Sequence, residues 1–457
     1  MRYLMILVIL MIPLFLFGQW VRPCPTRTPH PQFPGTAMTY GNPMWYSPPW
    51  PDYGKIYALF GLAGNRFYSW DCSQNTRPGI WVELARLPTD NAYYGASICY
   101  FADLIATESF IFCIPGLVSP NLPRNEFWCY HIEENRWYRL EDVPNSQTTI
   151  GFGSDICVGE VVRDPFVPDG RAVKIYVLKG TTRTDQYNNE FYVYYFPLGV
   201  PVAKKFEILR NTPSRWQRLS DFRHGCNAQM CYVPSRNEIY ALRGNPVTNK
   251  ETIFCYSVRN NTWNYWKEYW WKVCGGAMKT FGVVGNERVY PNEDTLLMVL
   301  RGDETKDFYR IGIPGGIKVN LQRAPFRVNG NCDIAFGYWR GYEDVDLWGM
   351  WAFFGDYDNP GDSVGFYMGY ASSEEEFGNG PQGYSQNFVF KDLNQFLKLM
   401  LTTDFSSSIS IKIYNSLGEL IFSTSNFPTN KNLRSGIYYY QIKSKEMEKR
   451  GKLIIKN

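Results

Sequence analysis

The chain has 457 residues, of which 33 Tyr, 30 Phe and 15 Trp bring the aromatic share to 17%, alongside 39 Gly and 29 Pro. That mixture favours short strands joined by turns over long helices. The 47 basic and 43 acidic residues leave a net charge of +4, and without a dense Lys/Arg run to follow a phosphate backbone they argue against a nucleic-acid partner.

Residues 1–18, MRYLMILVILMIPLFLFG, set one Arg ahead of an apolar run that ends on a small residue, the pattern of a secretory signal peptide. The run is short for a transmembrane helix, which needs ~20 apolar residues. Cleavage is expected near Gly18 and Gln19, leaving no membrane span in the mature chain. The 11 Cys of an exported chain permit disulfides. Cys99, Cys113, Cys129, Cys157, Cys231 and Cys255, however, sit inside apolar strand-like runs and read as small buried hydrophobes. No Cys pair has zinc-ligand spacing with a His nearby, and no metal or cofactor is expected.

From residue 19 to 370 four markers recur in a fixed order. The first is a small-residue strand, "GTAMTY" from Gly35, "GASICY" from Gly95, "GSDICV" from Gly153, "GCNAQMCY" from Gly225, "GGAMKTF" from Gly275 and "NCDIAF" from Asn331. The second is a β-branched or aromatic run closed by Gly61, Gly116, Gly180, Gly244, Gly302 or Gly355, at intervals of 55, 64, 64, 58 and 53 residues. An aromatic strand follows each, beginning near Phe67, Phe127, Phe191, Ile253, Phe308 and Phe366. The fourth marker is a Trp-led strand, "WVELARLP" from Trp81, "WYRLEDVP" from Trp137, "WQRLSDFR" from Trp216, "WNYWKEYW" from Trp263 and a degenerate "KVNLQRAP" from Lys318. Its sixth copy, "WVRPCPTR" from Trp20, lies at the other end of the array. If that strand completes the last unit, the ring closes and no sheet edge is left open.

Four-stranded units of this period are the signature of a β-propeller. The order of the markers resembles the kelch repeat family over roughly residues 20–370, and their six copies predict six blades. Trp81, Trp137, Trp216 and Trp263 are expected to pack between neighbouring blades, where a large aromatic buries ~150–250 Å².

Residues 371–390, with "SSEEEFGNGPQGYSQN", read as a linker or peripheral strand. Residues 391–457 alternate apolar and polar positions between turn signals, as expected of a small β-sandwich. This segment resembles the C-terminal sorting domain of the bacterial type IX secretion system. Tyr414, Asn415 and Gly418, then Gly436, Ile437 and Tyr438, then Lys452 in the terminal strand carry the likeness. The chain as a whole is therefore expected to be all-β, a six-bladed kelch-like β-propeller with a small C-terminal β-sandwich. Type IX machinery would read residues 391–457 and deliver the protein outside the cell or to its outer surface.

The three His, at positions 30, 131 and 224, fall in different units, unlike the clustered ligands a copper oxidase needs. There is no Gly-x-Ser-x-Gly elbow, P-loop or His-Glu-x-x-His motif. Function on a rigid scaffold tends to sit on loops. On the face built by blade-joining loops and loops after the second strands, the candidates for ligand binding are Tyr93, Tyr94, Lys179, Arg223, His224, Arg243, Trp270, Trp271 and Arg301. Aromatics beside Arg suit an extracellular protein or glycan. A polysaccharide lyase or hydrolase and a structural surface protein without a small ligand are the alternatives. Residues 391–457, fused behind a signal peptide and a reporter in a type IX-competent host, should carry the reporter outside. Retention in the periplasm, seen by cell fractionation, would contradict the sorting expectation.

Overall fold

Nearly continuous runs of buried residues, punctuated by Gly and Asn in left-handed conformations, build six four-stranded antiparallel sheets. In the computed structural model these sheets lie in the unit Gly18–Gly369, and a second unit contains Tyr370–Asn457. The structure describes residues 19–21, 28–29, 36–41, 54–61, 65–72, 81–90, 92–118, 124–145, 148–181, 186–226, 228–244, 250–270, 276–288, 295–302, 304–328, 332–340, 346–355, 364–368, 386–390, 410–414, 420–424, 436–443 and 448–455. The expected signal peptide, residues 1–18, together with His30, Trp271, Asn415, Gly418 and the linker residues 371–385, lies outside them.

In chain order, β1 (Gln19–Val21) precedes the first blade, made of β2 (Ala37–Gly41), β3 (Lys55–Phe60), β4 (Arg66–Asp71) and β5 (Trp81–Glu83). The second holds β6 (Ala96–Asp103), β7 (Glu108–Pro115), β8 (Trp128–His131) and β9 (Arg136–Arg139). The third holds β10 (Asp155–Arg163), β11 (Arg171–Leu178), β12 (Phe191–Leu198) and β13 (Trp216–Arg218). The fourth holds β14 (Gln229–Val233), β15 (Glu238–Leu242), β16 (Glu251–Ser257) and β17 (Thr262–Tyr269). In the fifth, a hairpin of β19 (Val283–Val284) and β20 (Glu287–Arg288) interrupts the sequence between β18 (Ala277–Thr280) and β21 (Leu296–Leu300), with β22 (Phe308–Gly312) and β23 (Ile317–Asn320) outside. The sixth holds β24 (Asp333–Arg340), β25 (Asp346–Phe353) and β26 (Val364–Met368), and its outer place is taken by β1, with Trp20 opposite Tyr367. The chain is therefore an all-β, six-bladed propeller.

The blades are joined by a repeated aromatic contact. Trp137 lies 5.1 Å, centroid to centroid, from Phe67 in the preceding blade. Trp216 lies 5.2 Å from Phe127, Trp263 5.1 Å from Phe191, and Trp20 5.0 Å from Phe308. The indole N–H of Trp137 donates to the Ala85 carbonyl at 2.7 Å, that of Trp216 to Glu141 at 3.2 Å and that of Trp20 to Gln322 at 3.0 Å. Each acceptor belongs to the blade on which the ring packs, so one side chain supplies both apolar area and a satisfied polar tip. An Asn two residues before the Trp reaches back as well: the Ala85 N–H donates to Asn135 Oδ1 at 2.8 Å and the Ser220 N–H to Asn261 Oδ1 at 3.0 Å.

Between β12 and β13 the segment α1 (Val202–Asn211) is helical, which the strand pattern did not anticipate. Its Lys205 is buried and lies 2.8 Å from both Asp103 and Glu108 at the β6–β7 turn, while Phe206 stacks on Tyr138 at 4.1 Å. Tertiary pairing with the second blade, rather than helix propensity alone, explains a helix of 10 residues here.

In the second unit, β27 (Gln386–Phe390), β28 (Ser410–Tyr414), β29 (Leu420–Thr424), β30 (Gly436–Lys443) and β31 (Glu448–Ile455) form one five-stranded sheet in the order β27-β31-β30-β28-β29. β27 runs parallel to β31, so this sheet takes an edge strand from the segment read as linker or peripheral strand. A second sheet layer, which a sandwich requires, is not among the described residues. Gly436, Ile437 and Tyr438 open β30, Lys452 lies in β31 opposite Tyr439, and Tyr414 ends β28.

Trp137→Ala should lower the stability of the propeller by about 3–5 kcal/mol, read as a shift of the denaturant midpoint. A shift no larger than that of an exposed substitution such as Val82→Ala would show that the inter-blade contact carries little of the stability.

Candidate functional site

The first strand of every blade lines the central channel. At equivalent places stand Thr39, Cys99, Cys157, Cys231, Lys279 and Ala335. The cavity there has a volume of only ≈ 80 Å³, far below the ~300–1,000 Å³ of ordinary small-molecule pockets. The β19–β20 hairpin supplies Val283, Val284 and Gly285 to its lining, and Asn286 Nδ2 donates to the Gly159 carbonyl at 3.0 Å. Gly285 has φ +60°, and a Cβ there would stand 2.7 Å from the Tyr100 carbonyl oxygen, so the hairpin crosses the channel only with glycine at its turn.

Buried charge lies beside this lining. Asp155, at the start of β10, accepts from Ser97 Oγ at 2.6 Å in the second blade and from the Met230 N–H at 2.7 Å in the fourth. Asp333, at the start of β24, accepts from the Met38 N–H of the first blade at 2.9 Å. Burial pushes the Asp333 carboxyl up to about 6 against the opposing pull of Lys279 and the backbone donors. For Lys279, burial is outweighed by Asp155 and Asp333, which hold its ammonium above the ordinary value. The two carboxylates pin adjoining inner strands and Lys279 offsets their charge, so this group reads as scaffold. The nine Cys among the described residues are all free thiols.

The blade-joining face offers more. Across the boundary between the third and fourth blades, Asn188 and His224 exchange two backbone hydrogen bonds of 2.8 Å, the Gly225 N–H donates to the Arg243 carbonyl at 2.8 Å, and the Arg243 N–H donates to the Thr252 carbonyl at 2.9 Å. These bonds bring three loop segments side by side. As a result the Arg223 guanidinium lies 4.4 Å and the Arg243 guanidinium 5.2 Å from the centroid of one ring, Tyr187. Both distances are within cation–π range. Neither guanidinium has a carboxylate at ion-pair distance among the described residues.

Below this cluster the groups are buried and paired. His224 is fully enclosed; its Nδ1–H donates to the Phe222 carbonyl at 2.6 Å and its Nε2 accepts from the Gly180 N–H at 3.2 Å. Burial brings the imidazole down to about 4, which suits the neutral tautomer that both bonds require. Lys179 is also enclosed, 3.1 Å from Glu190, and donates to the Pro144 carbonyl at 2.6 Å and to the Thr148 carbonyl. Burial would raise the Glu190 carboxyl, but bonds from Thr148 and Lys179 hold it below its ordinary value. Lys179 and His224, read in the sequence as ligand contacts, therefore face inward: their polar atoms are used in holding the loops.

The remaining candidates divide in the same way. Tyr93 and Tyr94 are half-buried, 4.5 Å apart, with Tyr94 4.6 Å from Phe152 of the next blade-joining loop. Arg301 pairs with Asp307 at 3.1 Å inside its own blade. Trp270 is 82% exposed, with Lys250 Nζ 3.7 Å from its ring centroid. Register places Lys250 and Trp270 just beyond the Glu251–Tyr269 pair, on the same end of the fourth blade as Arg243. Of the nine candidates, Arg223, Arg243 and Trp270 present charge or ring surface to solvent on neighbouring strands. Tyr187 and Lys250 escaped the sequence reading, although both lie in the loops named there as functional. His131, stacked on Phe110 and 3.1 Å from Glu133, lies away from this rim in β8. No group of His, Cys, Asp or Glu among the described residues is arranged to hold a metal ion.

Residues 395–456 match the family model described as a secretion system C-terminal sorting domain. This match covers the C-terminal segment, and it marks the chain as a type IX export substrate delivered to the cell surface or the extracellular space. Among curated proteins no match to the sequence is found. Solved structures similar to it include that of YjhT, at 12% identity and TM-score 0.46, covering 75% of this chain and 98% of that one. Another is the six-bladed fucose-binding lectin of Aleuria aurantia, at 9% identity and TM-score 0.41, covering 76% and 96%. A third is the α-L-arabinofuranosidase Arb93A of Fusarium graminearum, at 8% identity and TM-score 0.44, covering 79% and 98%.

Glu251 gives the rim a pH signature. It is fully buried, its Oε1 accepts from the Gly244 and Thr252 N–H groups at 3.0 and 3.1 Å, and burial raises the carboxyl to about 7. A folded-state value above the unfolded one contributes stability that is complete below the unfolded value and is lost as pH rises through about 7. Glu251→Gln should therefore gain roughly 2–4 kcal/mol on the native protein between pH 5 and pH 8.5. Denaturant titrations of both proteins at each pH read this directly, and parallel pH profiles would refute it.

Proposed function

We propose that this exported chain is a binding protein whose propeller takes a protein or glycan ligand outside the cell, at the face formed by its blade-joining loops. The observation that carries the reading is the pair of guanidiniums, Arg223 and Arg243, gathered on Tyr187 without a carboxylate partner among the described residues. Several cations among the described residues are spent internally instead: Lys179 on Glu190, Lys205 on Asp103 and Glu108, Arg215 on Asp164, Arg301 on Asp307. A planar fork of donors left facing solvent on a rigid loop is suited to oxygen acceptors of a partner. The exposed Trp270 on the same end of the fourth blade adds an apolar face for stacking.

The channel supports the rim as the place of binding, because its cavity of ≈ 80 Å³ is small beside the ~300–1,000 Å³ of ordinary ligand pockets. Export to the outside fits a ligand met there. The purified full chain should retain a defined subset of a broad glycan array, and Arg243→Ala and Trp270→Ala should each weaken those signals by about tenfold, the loss of one charge-assisted contact or one stacked ring. Signals equal in the variants and the parent, or an array with none, would count against the rim as a glycan-binding face.

A further inference from the structure

We infer that the ligand of this rim is an acidic polysaccharide, laid across the end of the fourth blade with an oxyanion at the Arg223–Arg243 pair and a sugar ring on Trp270. The inference rests on the reading of the rim as a binding face and names the chemistry of what it binds.

Three observations converge on it. First, two like charges share one aromatic ring. Arg223 and Arg243 stand 4.4 and 5.2 Å from the Tyr187 centroid, where ring and cations attract but the cations repel each other. An anion between two guanidiniums relieves that repulsion, and guanidinium forks match the geometry of carboxylate and sulfate oxygens.

Second, the cluster is held from beneath by backbone bonds and buried side chains, so it is organised before a ligand arrives. The Asn188–His224 bridge and the Gly225 to Arg243 bond set the three loops, and the enclosed His224 ties Gly180 to Phe222. Preorganisation of this kind lowers the ordering cost of binding.

Third, charge and ring surface continue outward along the blade. Arg243 lies opposite Thr252 on the next strand, and Lys250 and Trp270 extend the Glu251–Tyr269 pair on the strands beyond. Two strand intervals of ~4.8 Å across and two residue rises of ~3.3 Å along put the Trp backbone about 12 Å from that of the Arg. Lys250 sits on the Trp270 ring at 3.7 Å and also pairs with Glu268 at 2.9 Å, which fixes the ring while 82% of the residue stays in solvent. A chain that alternates pyranose faces with acidic groups matches a row that alternates cations with an indole. An acidic peptide would use the cations and leave the indole without a role.

The test is a binding titration of the full chain by calorimetry with four probes: polygalacturonate, which offers carboxylates; dextran sulfate, which offers sulfate esters; dextran as a neutral glycan; and polyglutamate as an acidic peptide. Binding of one or both acidic glycans is expected, with dextran and polyglutamate weaker by at least about tenfold. Which acidic glycan binds more tightly identifies carboxylate or sulfate as the recognised group. Arg223→Gln with Arg243→Gln should weaken acidic-glycan binding by about tenfold or more, and Arg223→Lys with Arg243→Lys should recover part of it through charge alone. Trp270→Ala should weaken binding of the glycan and not its dependence on salt. An unchanged melting temperature shows that the variants are folded. Equal binding of dextran, with the double Gln variant unaffected, overturns the acidic ligand while leaving glycan binding standing. Preference for polyglutamate overturns the polysaccharide. No binding of any probe overturns this inference, and if the glycan array is also blank the rim reading falls with it.

Discussion

Everything in the propeller depends on a Trp reaching from one blade to the next. A single four-stranded sheet has two apolar faces and cannot bury either alone, so stability resides in the interfaces between blades. Here the interface is standardised: ring centroids 5.0–5.2 Å apart for Trp137 on Phe67, Trp216 on Phe127, Trp263 on Phe191 and Trp20 on Phe308. The fifth blade has Lys318 where the Trp would stand. Its boundary with the fourth blade is fastened from the other side: Trp266 of the fourth blade, packed on Tyr240 of the same blade, donates to the Pro314 carbonyl at 3.1 Å. The direction of the contact is reversed, with the fourth blade reaching toward the fifth.

A ring held this rigidly can carry charge that a looser fold could not. The Lys179–Glu190 and Lys205–Asp103 pairs are enclosed, and such pairs gain little net stability because desolvation offsets attraction. Their value lies in geometry. Lys179 draws the Pro144 and Thr148 carbonyls and Glu190 to one point under the rim, and Lys205 docks α1 on the second blade. The site above inherits its shape from these fixed points, which is why Arg223 and Arg243 can gather on one ring without collapsing onto internal acids. Neutral His224 belongs to the same support: a charged imidazole could not accept from Gly180.

Much of the fold was legible in the chain, because the features that define a blade are local. The Trp-led strands, the aromatic third strands and the Gly-closed second strands each appear as a short word, and each word is a strand in the structure. Gly153 illustrates the reason: it has φ +73°, and a Cβ there would meet the Gly225 carbonyl oxygen at 2.2 Å, so the loop-to-loop packing is written as an obligatory glycine. The C-terminal sheet was legible in the same manner from its alternation. The helix α1 was not, since its ten residues owe their conformation to Asp103 and Glu108 almost a hundred positions earlier. Of the rim, the sequence could name Arg223, Arg243 and Trp270 as loop residues of the right chemistry, but it also named Lys179 and His224, which resemble them in type and differ only in facing inward.

The sequence by itself determined the repeating unit, the all-β class and the sorting domain, because each rests on short-range periodicity or on a contiguous motif. Tertiary structure alone decided which cations are spent and which remain. Lys179 and Arg243 both precede a marker glycine, yet one meets Glu190 and the other meets Tyr187. Whether a charge is available to a ligand depends on what the next blade places against it, and that neighbour is distant in the chain and fixed only when the ring is assembled.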